Sequence, residues 1–252
     1  LLHCHEDYVG AQYVIKELSR SLTAPSDADE ARLNHCVLYL KGVRDSYRVI
    51  QPDPNERVIS VMVDSDWAGS ADRKSTDCIC AKLLGANTHV SVKTQGNLST
   101  SSGQAELGGI QRGAMFGVYL QNVWHASYGE LLPIVVHTDS AAGKVMGTRR
   151  GCGKVRHLEI RELYTQQLTN SGRVRIEKVA GQLNEADIGT KVLDQKRLEE
   201  LMEMHKVVNP VLPTFGKKTR GGGITEATAT KALTALTLFQ SLMQARTTSD
   251  YY

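Results

Sequence analysis

Four carboxylates stand where an α/β fold places functional side chains. Asp64 ends the apolar run VISVMVD, and Asp139 ends the run LPIVVHTD just before the small residues SAAG. Glu106 lies on the inward-facing stripe of a long helical segment, where an acid is unexpected. Asp187 lies in the first turn of a helical segment capped at Asn184. Strand ends and helix starts meet at one edge of an α/β sheet, so the four acids are predicted to converge.

Converging carboxylates predict a metal site. Three or four of them cannot all stay ionised side by side without cations, and ligand sets of oxygen alone favour Mg²⁺ or Mn²⁺. Two such ions about 4 Å apart hold a phosphodiester for in-line attack by water. Taken singly, each acid also has a simpler interpretation, because Asp139 could be a helix N-cap, Asp187 a capping residue and Asp64 a strand end.

The elements that must position these acids follow from periodicity and capping. The pattern predicts helices over 10–22 and from Ser26 to Gly42, with Asp29 completing a capping box. For the rest of the fold, the pattern predicts strands at 58–64, 78–84, 88–93, 132–139 and 174–179. It also predicts helices from Ser101 to about Ala126, starting at SAAG, over 157–168 and after Asn184. Gln104 is expected at the box position of the long helix, and GAN is expected to close a hairpin. The order β-β-β-α-β-α-α-β-α predicts a mixed sheet with helices packed on it.

Charge is concentrated in one segment. The net charge of +3 says little, but residues 148–178 hold eight Lys or Arg against three Glu. This segment is a candidate phosphate-facing surface. The alternative is that folding scatters its charges over a solvated face.

The cysteines and the first residues of the chain predict its cellular environment and its place in a longer chain. The five cysteines are scattered and odd in number, and the Cys78-x-Cys80 spacing fits no usual zinc site. Reduced thiols in an intracellular protein are therefore expected. No signal peptide and no apolar run of membrane-spanning length is present, and LLHCHEDYVG contains no Met, so the chain is expected to continue a longer one.

Five motifs, in order, resemble those of one family. They are DSDWAGSADRKST, KTQGNLSTSSGQAELGGI, VVHTDSAA, KVRHLEIR and QLNEADIGTK. Together they resemble the ribonuclease H domain of copia-type (Pseudoviridae) retrotransposon polyproteins. The segment ELSRSLTAPSDADEARLNHCVLYLKG also resembles the connection to the reverse transcriptase of such polyproteins.

The resemblance implies a fold, an activity and a site. The fold is α/β and RNase H-like, with a mixed five-stranded sheet whose first three strands are antiparallel and with helices on both faces. The activity is hydrolysis of the RNA strand of RNA–DNA hybrids with two Mg²⁺ or Mn²⁺ ions. Its catalytic and metal-binding acids are the four already introduced, Asp64, Glu106, Asp139 and Asp187. Asp66 shares a strand face with Asp64 but is assigned to turn structure or to the surroundings of the site.

The resemblance also implies partners and domains. The partners are the hybrid and the reverse transcriptase of the same polyprotein, with no membrane. The residues expected to contact nucleic acid are Arg149, Arg150, Lys154, Arg156 and His157. His157 is placed at a phosphate or in product release, or is only a surface histidine. The domains are a helical connection at 1–56, the RNase H-like domain at 57–208 and a tail at 209–252 that is flexible or weakly helical.

Departures from the family pattern keep a second hypothesis open. Gln104 replaces the first Glu of the usual E-A-E, and the long helix carries glycines at 103, 108, 109, 113 and 117. Four interior glycines cost about 3–4 kcal/mol relative to Ala. Either this helix packs very closely on the sheet, or the copy has decayed to a domain that only binds nucleic acid. A transposase or integrase core fits less well, because its acids run Asp, Asp, Glu.

Overall fold

The computed structural model describes residues 4–70, 72–153 and 160–210 of the chain. Within them the chain forms six α-helices, namely α1 Gln12–Arg20, α2 Asp27–Gly42, α3 Ser102–Tyr128, α4 Ala141–Thr148, α5 Ile160–Asn170 and α6 Gln195–Met204. The strands there are β1 Tyr47–Arg48, β2 Ile59–Ser65, β3 Thr76–Leu83, β4 Ala86–Thr94, β5 Ile134–Thr138, β6 Val174–Lys178 and β7 Val207–Val208. Short 3₁₀ segments occupy Val9–Ala11, Gly181–Leu183 and Glu185–Gly189. None of the helices in these ranges is both long enough and apolar enough to cross a bilayer.

Five strands form the main sheet in the order β4-β3-β2-β5-β6. β2, β3 and β4 are antiparallel neighbours, whereas β5 lies parallel to β2 and β6 lies parallel to β5. The structure therefore confirms the predicted class, an α/β RNase H-like fold whose mixed sheet has three antiparallel strands first. A second pairing, β1 with β7, was not anticipated, because strands of two residues carry no periodicity.

Helices cover both faces of the sheet. On one face, α3 contributes Ile110 and Ala114 to a core that includes Val61 and Val136 of the sheet. On the other face, Val90 of β4 packs with apolar residues of the Val9–Ala11 and Glu185–Gly189 segments and of α6. Burial on both faces explains why β3 is buried at nearly every position and shows no clean alternation.

The glycines of α3 mark where this helix lies closest to the sheet. A Cβ atom on Gly113 would stand 2.5 Å from Cγ1 of Val63, and one on Gly117 would stand 2.6 Å from Cγ2 of Ile134. Atoms that close require either the helix or the strand to move. The structure thus favours close packing as the reason for these glycines.

Helix α2 begins as the sequence predicts. Ser26 Oγ accepts a hydrogen bond from Asp29 N at 3.3 Å, and the Asp29 carboxylate accepts one from Ser26 N at 3.1 Å. Ser101 caps α3 in the same way, but Gln104 does not close a box there. Its Oε1 accepts instead from the backbone N of Thr100 at 2.9 Å, one residue before the cap.

Other details of the predicted elements differ from the structure. The hairpin turns at Leu84 and Gly85, which both have positive φ, so its loop is two residues long and Ala86 already belongs to β4. Such a turn matches the twist of the paired strands better than the three-residue loop GAN. The segment after Asn184 is a 3₁₀ helix of five residues, and α6 follows it as a helix that was not predicted. Helix α5 continues to Asn170 rather than ending at 168.

Candidate metal centre

Asp64 lies near the end of the central strand β2 and is 3% exposed. The Thr190 hydroxyl donates a hydrogen bond to its Oδ2, and Lys191 Nζ lies 3.7 Å from the same oxygen. Burial raises the pKa of the Asp64 carboxyl, although the Thr190 hydrogen bond and the Lys191 charge oppose this shift. An isolated carboxylate would be costly here, so the position requires cationic or hydrogen-bonding partners.

Asp139 follows the last residue of β5 directly. Thr138 is paired with Val63 across the parallel β5–β2 ladder, so Asp139 and Asp64 leave neighbouring strands at the same edge. Asp139 is not the N-cap of α4, because Ser140 Oγ accepts the hydrogen bond from Gly143 N at 3.0 Å. The simpler interpretation of Asp139 as a capping residue therefore does not hold.

Glu106 reaches this edge from α3. Gly143 lets the start of α4 lie against α3 at this point, since a Cβ atom on Gly143 would stand 3.0 Å from Cβ of Glu106. Oε2 of Glu106 is buried and has no hydrogen-bond partner. Burial raises the pKa of the Glu106 carboxyl to about 8, and the negative charges of Asp64 and Asp139 contribute to this rise.

Three of the four predicted acids meet at this edge. Within the described ranges, Asp64, Glu106 and Asp139 each offer a carboxylate oxygen, and these oxygens lie within 4.8 Å of one another. The donor set is oxygen only, which suits Mg²⁺ or Mn²⁺. The buried Glu106 oxygen without a partner is a free ligand atom, so the residues fit a divalent ion.

Asp187 is near the cluster but has other partners. It is buried in the Glu185–Gly189 segment, whose N-cap is Asn184. Its carboxylate accepts from Lys191 Nζ at 2.6 Å and from an Arg197 nitrogen at 3.1 Å. Its role as a metal ligand therefore stays a prediction, and its simpler interpretation as a cap is excluded.

Asp66 takes part in turn structure. Its Oδ1 accepts a hydrogen bond from the backbone N of Thr76, and its own backbone N donates to Thr76 O at 2.9 Å. These two bonds join the end of β2 to the start of β3. They match the structural assignment that the sequence analysis gave this residue.

The structure describes only part of the predicted nucleic-acid surface. The guanidinium of Arg149 donates to the carbonyl oxygen of Cys152 and so closes its own loop, while Arg150 is exposed. Lys154, Arg156 and His157 lie outside the described residues. The assignment of this segment to nucleic-acid binding stays a prediction.

Sequence reasoning missed two residues at the site, Thr190 and Lys191. Both stand in the quoted motif QLNEADIGTK, three and four residues after Asp187, where a helical turn returns to the same face. Burial lowers the pKa of Lys191, but the hydrogen bond to Asp187 and the Asp64 charge outweigh it, and the net shift is upward. The threonine–lysine pair after the acid was the available signal.

No family model matches the sequence. The chain is similar to the N-terminal RNase H domain of rv2228c from Mycobacterium tuberculosis, solved as a fusion with maltose-binding protein, at 13% identity and a TM-score of 0.37. That match covers 58% of this chain and 96% of the other. LC11-RNase H1, solved in complex with an RNA/DNA hybrid, matches at 13% identity and a TM-score of 0.36 over 52% of this chain and 93% of that one.

A viral protein gives a third match. The protease–reverse transcriptase of prototype foamy virus is 11% identical, with a TM-score of 0.35, over 58% of this chain and 22% of its own length. The identities and TM-scores of all three matches are low. The fold class therefore rests on this chain's own strand order and strand directions and on its helices on both faces of the sheet.

Proposed function

We propose that the chain is a metal-dependent endonuclease that hydrolyses the RNA strand of RNA–DNA hybrids. The observation that carries this proposal is the meeting of Asp64, Glu106 and Asp139 at the sheet edge, with one buried Glu106 oxygen free for a ligand. Carboxylates in such a cluster hold the divalent ions that phosphodiester hydrolysis uses. The five motifs shared with copia-type ribonuclease H domains give the substrate class.

Each acid has a distinct part in the proposed chemistry. Asp64 is fixed by Thr190, and Asp139 lies beside it at the end of the neighbouring strand, so the two present oxygens from a rigid edge. Glu106 must lose the proton that its raised pKa retains before it can act as a ligand. The bound ion supplies Lewis-acid polarisation of the phosphate. The shape of the hybrid and the 2′-hydroxyls of its RNA strand, rather than base sequence, select the substrate.

The biological setting is proposed from the motifs. We place the chain in a copia-type retrotransposon polyprotein, with the reverse transcriptase portion as partner and the hybrid of reverse transcription as substrate. A cytoplasmic particle or the nucleus is the corresponding location. The N-terminal segment up to residue 56 would then connect the nuclease to the polymerase.

Cleavage of a labelled hybrid by the full chain tests the activity. We expect the RNA strand to be cut in Mg²⁺ and in Mn²⁺, and duplex DNA and duplex RNA to stay intact. Glu106→Gln removes a ligand charge and is expected to lower the rate by at least about 100-fold. Glu203→Gln, an exposed change on α6, is the matched control and should cut like the parent.

Two results would contradict the proposal in different ways. Cleavage that survives in Glu106→Gln would mean a contaminant or another site. A folded protein that binds the hybrid but never cuts it would support the alternative, a decayed domain that only binds nucleic acid.

A further inference from the structure

The ammonium group of Lys191 lies between two acids at the rim of the metal centre. Its Nζ is 2.6 Å from Oδ1 of Asp187 and 3.7 Å from Oδ2 of Asp64. The side chain is about half exposed, at 49%, whereas both carboxylates are buried. The Lys191 side chain therefore extends from the solvent-exposed surface and places a positive charge between two buried negative charges.

The backbone around Lys191 is fixed to the central strand. Asn184 Nδ2 donates to the carbonyl oxygen of Val63 at 3.0 Å, and Thr190 donates to Asp64. These bonds hold both ends of the short 3₁₀ segment on β2. Because Lys191 is the residue next to Thr190, these bonds also fix the position of its backbone.

The remaining oxygen of Asp187 is also occupied by a cation. Arg197 of α6 lies 3.1 Å from Oδ2 of Asp187 and donates a second hydrogen bond to the carbonyl oxygen of Gln182 at 3.0 Å. Both Asp187 oxygens are thus paired with positively charged side chains. A metal ion between Asp64 and Asp187 would have to displace Lys191.

The charges balance with one divalent ion. The four acids Asp64, Glu106, Asp139 and Asp187 carry four negative charges when ionised, and Lys191 and Arg197 return two positive ones. One divalent cation at Asp64, Glu106 and Asp139 makes the group neutral. A second divalent ion would give the group of acids, Lys191 and Arg197 a net positive charge.

We infer that Lys191 takes the place of a second divalent ion between Asp64 and Asp187, so that the centre binds one divalent ion, at Asp64, Glu106 and Asp139. The inference rests on the proposed function only in that these three acids bind a divalent ion. The ammonium differs from an ion in its chemistry, because it donates hydrogen bonds to phosphate oxygens but does not activate water. Lys191 is thus a positioning and charge-supplying residue of the centre.

Counting bound Mn²⁺ tests this inference without any measurement of activity. The full chain is titrated with Mn²⁺, and the free ion is followed by its electron paramagnetic resonance signal. We expect one ion per chain in the parent protein and two in Lys191→Met, where the gap between Asp64 and Asp187 is open. Lys196→Met, which removes an exposed ammonium from α6, is the matched control and should bind one.

Two further variants locate the added ion. Lys191→Arg keeps a positive charge at the position and is expected to bind one ion. Lys191→Met combined with Asp187→Asn removes a ligand of the new position and should return the count to one. Circular dichroism confirms folding, and Lys191→Gln replaces Lys191→Met if the latter does not fold.

Each other outcome has a definite meaning. Two ions in the parent protein, or one ion in both Lys191→Met and Lys191→Gln, would overturn the role of Lys191 and leave the proposed nuclease standing. No bound ion in the folded parent protein would overturn the metal centre itself, and with it the proposed function.

Discussion

The carboxyl group of Glu106 lies in surroundings that disfavour its ionised form. Burial and two neighbouring aspartates hold its pKa near 8, so in the metal-free protein at neutral pH it is largely protonated. Perturbed acids of this kind cluster at functional sites. The inward stripe of α3 was a sufficient sequence signal for Glu106, because an acid among Ile110 and interior glycines has no structural use there.

The titration of Glu106 predicts how metal-free stability depends on pH. The pKa of Glu106 in the folded protein is above its ordinary value of 4.5. Below pH 4.5 the carboxyl group is protonated in both the folded and the unfolded chain, and its full contribution to the free energy of unfolding is present. This stabilisation is lost as the pH rises through about 8. In EDTA, the unfolding free energy of the parent should fall relative to Glu106→Gln between pH 5 and 8.5, by on the order of 4 kcal/mol.

Urea unfolding across this pH range measures the difference. Glu203→Gln serves again as control, and its stability should run parallel to that of the parent. If the parent and Glu106→Gln stayed parallel, Glu106 would be ionised in the metal-free fold, and burial would not govern its charge.

At the scale of elements, α3 is a helix of modest intrinsic propensity that close packing on the sheet stabilises. Its glycines on the sheet-facing side give up propensity and gain contact with Val63 and Ile134. Capping at Ser26 and Ser101 was predictable because these signals are local. The two-residue strands β1 and β7, and the 3₁₀ rather than α geometry after Asn184, were not, because they depend on tertiary partners.

Gly113→Ala tests the close packing of α3. Alanine gains about 1 kcal/mol of helix propensity, but its Cβ would stand 2.5 Å from Cγ1 of Val63 and force a shift. Overpacking of this kind costs about 1–3 kcal/mol, so a net loss of up to about 2 kcal/mol is expected in urea unfolding.

The control for this change is Gly42→Ala. Gly42 is the last residue of α2, and among the described residues no atom outside the adjoining helix backbone and chain neighbours lies within 4 Å of the Cβ position there, so stability should stay equal or rise. A gain in Gly113→Ala as large as that in Gly42→Ala would mean that α3 and the sheet separate easily.

At the scale of the whole molecule, the sheet edge decides which acids meet. The strand order fixes Asp64 and Asp139 as neighbours, and the sequence predicted both from the ends of apolar runs. The place of Asp187 was only partly predictable. Its segment was identified, but its ion pairs with Lys191 and Arg197 depend on side-chain directions, and α6, which carries Arg197, was missed.

Metal binding should stabilise the whole fold. A ligand at about 100 times its dissociation constant adds about 2.7 kcal/mol, which corresponds to a rise in Tm of about 5–10 °C for a domain of this size. We expect this rise with Mg²⁺ or Mn²⁺ in the parent and its loss in Asp139→Asn, measured by differential scanning calorimetry.

Asp45→Asn is the control for the metal-dependent rise. Asp45 is paired only with the adjacent Arg44 in the described structure, and the variant should respond to metal like the parent. An equal rise in Asp139→Asn would place the stabilising ion elsewhere.

The small β1–β7 pairing has a consequence for the order of folding. It joins Tyr47 to Val208, about 160 residues apart along the chain, through two residues on each side. Closing a loop of that length in the unfolded chain costs about 4–5 kcal/mol of conformational entropy. A ribbon with two residues on each strand stabilises the chain by less than this cost. The pairing therefore forms late, after the main sheet has brought its two strands together, and substitutions in it change the rate of unfolding rather than the rate of folding.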